Sequence, residues 1–133
     1  MRGFKVIHWA PPHQPHPDSG AEPDLAIWIS VAKIEASWVR DINSYIAPGG
    51  VGGVENRYEK FGIWLMSSFT PVEPVTISID QDSDGIVFTD GRHRFAWLRD
   101  HGATAIQAQV PSCYAEDVAR RFGTEDRITL ITI

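Results

Sequence analysis

A mixed α+β fold is predicted from three features of this 133-residue sequence. Short β-branched and aromatic runs alternate with segments whose apolar residues recur at helical spacing. Two β-like runs, "PVTISID" and "GIVFTD", are joined by "QDSDG", whose Asp-Gly is a hairpin signal. A β-like run also passes through Gly91 straight into a helical pattern. No repeat and no linker interrupts the chain, so residues 1–133 are read as a single domain. Helices packed on a small mixed sheet are the expected architecture.

In order, Phe4–Trp9 reads as a strand. Pro11, Pro12, Pro15 and Pro17 then force a loop. "LAIWISVAKI", Leu25–Ile34, reads as a central strand, and "EASWVRDINSYI" as a short helix with Trp38, Ile42 and Tyr45 on one face. "APGGVGG", Ala47–Gly53, is either a flap over a ligand or a plain surface loop. It lacks the Lys-Ser/Thr ending of a P-loop. A helix follows with Tyr58, Phe61 and Leu65 at helical spacing, then the hairpin, then a helix from Arg92 to His101 stopped by Gly102. "AIQAQVP" reads as a strand, and "SCYAEDVARRFG" as a helix with Ser112 as N-cap and Gly123 as its stop. "RITLITI" closes as a strand.

Composition narrows the function classes. The formal net charge is -5, so any nucleic-acid contact comes from a local basic patch rather than global charge. Cys113 is the only cysteine, which excludes an intrachain disulfide and fits a reducing cytoplasm. No apolar run reaches the roughly 18 residues of a membrane span, and "MRGFKVIHWAPP" shows no signal-peptide core.

The segment "FTDGRHRF" carries an oddity. The first turn of a helix has unpaired N–H groups and the positive end of the dipole, so acids belong there. Here Arg92, His93 and Arg94 stand there instead. A bound anion repairs the mismatch: backbone N–H groups point at it and Arg forks complete the cage. Gly91 allows the sharp turn. Asp90 either caps the helix or holds a metal beside phosphates. The plain alternative is a solvated surface turn.

Other residues keep two readings each. Arg57 repeats the oddity at the next helix start; it either reaches the same phosphates or pairs with Glu55 or Glu59 at the surface. Lys33 and Glu35 end the first long run; a carboxylate there would hold Mg²⁺ or activate water, or is simply solvated. His8, His13 and His16 lie among prolines that forbid a helical zinc site. Arg120 and Arg121 suit a helix C-terminus. Trp97 is adjacent to Leu98 but turned away from it, free to stack on a base.

"DGRHRFAWLRDHGATAIQAQVP" resembles the ParB/sulfiredoxin superfamily in its order of Gly91, His93, Arg94, Ala96, Leu98, Gly102 and "IQAQVP". "VEPVTISIDQDSDGIVFTDG" resembles the strand pair leading into that motif, and "WISVAKIEASW" its first core strand, so the resemblance covers about Leu25 to Val110. It implies a nucleoside triphosphate, ATP or CTP, held by Gly91, Arg92, His93 and Arg94. Sulfiredoxin-like reductases carry a catalytic Cys just before the His-Arg pair. Arg92 stands there and Cys113 lies outside the motif, so reductase chemistry is not expected. Chromosome-partition members add a helix-turn-helix and a dimerisation domain, for which residues 112–133 are too short.

"VAKIEASWVRDINSYIAPGG", "ENRYEKFGIWL" and "VFTDGRHRFAWLRDHG" together resemble the plasmid fertility-inhibition factors of this superfamily. That branch blocks conjugative DNA transfer and is associated with ATPase and DNase activity. The resemblance implies Mg²⁺ on Asp90, catalysis by Asp90 and Glu35, and a DNA path along Arg94 and Arg99. A non-catalytic module docking on a conjugation or secretion coupling protein is the alternative. A small-molecule, serine-type kinase is a third.

Overall fold

The computed structural model describes residues 3–133; Met1 and Arg2, at the head of the segment examined for a signal peptide, lie outside them. Six strands and four helices form the predicted mixed α+β architecture. They are β1 (Phe4–Ile7), β2 (Leu25–Ser30), α1 (Val31–Trp38), α2 (Arg57–Ser67), β3 (Val75–Ile79), β4 (Ile86–Asp90), α3 (Arg92–Asp100), β5 (Ala105–Val110), α4 (Ser112–Phe122) and β6 (Thr129–Thr132). Short 3₁₀ turns occupy Pro17–Ser19 and Pro48–Gly50.

The main sheet has the order β2-β5-β3-β4, and β1 pairs with β6 in a second, two-stranded sheet. β2–β5 and β3–β4 are antiparallel and β3–β5 is parallel. Alternation places Val75, Ile77 and Ile79 of β3 in the core, with Thr76 and Ser78 half-buried on the other face. The hairpin forms as its Asp-Gly predicts: Asp84 takes φ 59 and Asp80 N–H donates to Gly85 C=O at 2.9 Å.

Four expectations are corrected. β2 is an edge strand, not a central one. Its run breaks at Ser30, whose hydroxyl accepts the Lys33 N–H at 3.2 Å and caps α1. Val31–Ile34 is therefore helical, and Val31, Ile34 and Trp38 form its buried stripe. The helix ends at Trp38 because the Asp41 carboxylate takes the N–H groups of Asn43 and Ser44, both at 3.3 Å, in a turn of its own. Ile42 is consequently 88% exposed instead of facing the core. Ser112 is the first residue of α4 and not its cap; its hydroxyl donates to Glu22 at 2.8 Å.

Tight packing joins α2 to α3. A Cβ on Gly62 would lie 2.2 Å from Trp97 Nε1, so only glycine admits the indole there. Trp97 is 7% exposed, stacked on His101 at 3.6 Å and edge-on to Phe61 at 5.7 Å. It is a core residue, which corrects its expected role as an open stacking surface.

Candidate functional site

β4 is the other edge of the sheet, and Gly91 alone separates its end from the start of α3. Gly91 makes the turn at φ 88, where a Cβ would meet Arg94 Nη2 at 2.8 Å and Val75 Cγ1 at 2.9 Å. No side chain caps α3, and its first turn holds no acid. The Phe95 N–H makes the first bond of the helix, to Gly91 C=O at 2.9 Å. The N–H groups of Arg92, His93 and Arg94 precede it and lack intrahelical acceptors. α2 also starts without a side-chain cap, at Asn56 with φ 70, although Glu59 lies in its first turn.

Both starts open on one cavity of about 380 Å³. Arg57 and Lys60 come from α2, and Asp90, Arg92, His93 and Arg94 from the β4–α3 turn; Phe61, Phe88, Thr89 and Gly91 complete its wall. Four permanent cations thus face one carboxylate, in a chain whose net charge is -5. That surplus attracts anions, and the uncapped dipole of α3 adds to it. A larger, more open cavity of about 800 Å³ lies between β2 and residues 123–127. There Lys33 and Arg127 face Glu125 and Asp126, so the charges balance.

The cations are partly anchored. Arg92 Nη1 donates to Ser44 C=O at 2.9 Å. Arg94 Nη2 donates to Pro74 C=O at 3.3 Å and pairs with Asp90 at 3.5 Å, while its Nε is buried without a partner. Asp90 is therefore an ion-pair partner of Arg94 and not the helix cap. Among the described residues Arg57 forms no ion pair with Glu55 or Glu59. His93 Nε2 accepts the Val54 N–H at 2.9 Å. Burial, then the charges of Arg92 and Arg57, lower its pKa and keep the ring neutral.

Glu35 and Arg99 are not at this cavity. Glu35 sits on α1 and binds Arg99 Nη1 at 3.1 Å and the Tyr45 hydroxyl at 2.9 Å. That pairing replaces its expected place beside Asp90. The Arg99 side chain is 9% exposed, donates to Asp100 at 2.9 Å and to Ile46 C=O at 2.7 Å, and is thereby committed to partners inside the protein. The same network ties down the Gly-rich loop. Asp100 accepts from Gly49 N–H at 2.9 Å and from the Tyr58 hydroxyl at 2.7 Å. Burial alone would raise the Asp100 carboxyl, but hydrogen bonds from Arg99, Tyr58 and Gly49 outweigh it and hold it low. Burial, with the bond to Asp100, pushes the Tyr58 phenol up to about 12. The loop is thus strapped to α3 rather than a free flap.

Lys60 escaped sequence reasoning, although it lies one helical turn beyond Arg57 and shares its face. Phe61 is marked in the sequence only by its helical spacing with Tyr58 and Leu65. No group of three His, Cys, Asp or Glu side chains gathers to hold a metal among the described residues. Arg120 and Arg121 pair with Asp117, and Arg121 also with Asp84 at 3.2 Å.

No protein-family model matches the chain, and no curated protein matches it in sequence. A crystal structure of Oncogenic Suppression Activity Protein, described as a plasmid fertility inhibition factor and solved as a gold(I) cyanide derivative, matches it in three dimensions. The match covers 96% of this chain and 71% of that one, at a TM-score of 0.60 and 14% identity. The chain shares the fold of a plasmid fertility inhibition factor. Among the described residues no helix is long and apolar enough to cross a membrane.

Proposed function

We propose that the cavity binds a nucleoside triphosphate, ATP or CTP, through its phosphates, in a ParB/sulfiredoxin-type protein that inhibits conjugative transfer of plasmid DNA. One observation carries the binding step: Arg57, Lys60, Arg92 and Arg94 converge from two uncapped helix starts on an otherwise acidic protein. The shared fold supports the biological reading. Mg²⁺ fits only together with phosphates, because Asp90 is the sole carboxylate at the cavity and Mg²⁺ commonly takes one or two carboxylates plus phosphate oxygens. When bound, it would neutralise charge developing on a phosphoryl group.

Arg94→Ala tests the binding step. A charge-assisted bond contributes about 1.5–3 kcal/mol, so labelled ATP and CTP should bind more than tenfold more weakly. The variant should still fold, because Arg94 is partly exposed and leaves behind only the Pro74 carbonyl and the solvated Asp90. Unchanged affinity for both nucleotides places the site elsewhere. Asp90→Asn tests catalysis. Asp90 caps nothing, so the variant should melt close to the parent and lose Mg²⁺-dependent DNA cleavage.

A second reading has its own observation. Ile63 and Trp64 of α2 and Phe69, two residues beyond its end, are exposed apolar residues. Such a surface favours a non-catalytic module that docks on a conjugation or secretion coupling protein. A parent protein that binds no nucleotide and cleaves no DNA, yet blocks transfer, would leave that reading in place.

A further inference from the structure

His93 faces the cavity, yet its ring is already committed. Accepting the Val54 N–H at Nε2 requires a neutral imidazole with its proton on Nδ1. Val54 has a second bond: its carbonyl accepts the Arg57 N–H at 3.2 Å. One residue therefore links α3 to the first residue of α2. The approach is close, since a Cβ on Gly53 would lie 3.0 Å from both Cδ2 and Nε2 of His93. The cations form two jaws, Arg92 with Arg94 on α3 and Arg57 with Lys60 on α2. Two jaws on separate elements suit a chain of phosphates better than a single one.

We propose that His93 is a positioning residue and not a phosphate ligand: by holding Val54 it sets the α2 jaw, and that jaw reads the length of a polyphosphate. The proposal rests on the phosphate-binding reading above. The groups facing His93 support it. Arg92 on its own helix, Arg57 and Lys60 on α2, and Arg94 beyond them leave Asp90 as the only nearby acid at the cavity. A protonated ring would add a further cation to that cluster and lose its bond to Val54. A positioning His93 therefore weakens polyphosphate binding as pH falls through the folded ring's value, which lies below the ordinary histidine value of about 6.5. A cationic ligand His93 would strengthen it.

The test is calorimetric titration with inorganic phosphate, pyrophosphate and tripolyphosphate. The proteins are the parent, His93→Leu, His93→Gln, Arg57→Ala and the double variant His93→Leu/Arg57→Ala. His93→Leu should lose the advantage of tripolyphosphate over phosphate to the same extent as Arg57→Ala, and the double variant should lose no more than either. His93→Gln supplies a non-titrating acceptor. It should restore the advantage and remove the protein's share of the acid-side loss, leaving the ligand's own titration. Amide exchange should speed up at Val54 in His93→Leu while the middle of α3 stays protected. Additive losses in the double variant, an unchanged His93→Leu, or acid-strengthened binding relative to His93→Gln would overturn the proposal. Those results leave the phosphate site standing; a parent that binds no tripolyphosphate sinks both.

Discussion

Asp100→Ala is expected to free the Ala47–Gly53 loop and to cost about 1.5–3 kcal/mol of stability, the scale of hydrogen bonds to a charged group, because the network is only partly buried. One Asp100 oxygen accepts from Gly49 N–H at 2.9 Å and from the Tyr58 hydroxyl at 2.7 Å, and the other from Arg99 Nε at 2.9 Å. Truncation removes the acceptor of all three donors; the exposed Gly49 N–H can turn to water, whereas the part-buried Tyr58 hydroxyl and Arg99 Nε are less free to. Arg99 can least bear it, because its side chain is 9% exposed and its Nη2 already lacks a partner. The melting temperature should fall by roughly 5–10 °C, and Gly49 should lose amide protection. A shift of a degree or two would contradict the clamp. The pH dependence has a definite sign. Asp100 is held low in the folded protein, so its contribution is present above the unfolded value of about 3.9 and disappears as pH falls through the folded one. His93, also lowered, contributes above about 6.5 and loses that contribution as pH falls through its folded value. Acidification should therefore loosen the Val54 end of the loop before the Gly49 end.

Trp38→Ala should be more damaging, about 3–5 kcal/mol for a fully buried aromatic. Trp38 is 0% exposed and packs against Tyr45, Phe88 and Phe95 at centroid distances of 5.0, 4.7 and 5.4 Å. Its Nε1–H donates to the Ser44 hydroxyl at 3.0 Å, and the Ser44 carbonyl accepts from Arg92. Loss of the indole should therefore lower the denaturation midpoint and also loosen one wall cation of the cavity. A loss below about 0.5 kcal/mol, the scale of ordinary surface changes, would contradict this packing.

The sequence was most informative where the signal is local. The Asp84-Gly85 turn, the apolar spacing of α2 and the cations at the start of α3 each depend on neighbours within a few residues, and each forms as read. Arg57 was legible for the same reason: a cation at an uncapped helix start is a local conflict. Errors arose where two local signals compete. Ser30 lies inside a β-branched run, and its hydroxyl, capping Lys33, turns strand into helix. Asp41 offers a turn that ends α1 early. Other features depend on distant pairing that no local pattern records. β2 occupies a sheet edge. Arg99 meets Glu35 across 64 residues and Tyr58 meets Asp100 across 42, which removes Glu35 and Arg99 from the cavity.

Mapping backbone amides by NMR during titration with tripolyphosphate tests the central claim most directly. The expected result is a set of saturable shifts at the N–H groups of Arg92, His93 and Arg94, with a second set at Arg57 and Lys60. Shifts confined to β2 and residues 123–127, or no saturable shift at all, would contradict the account.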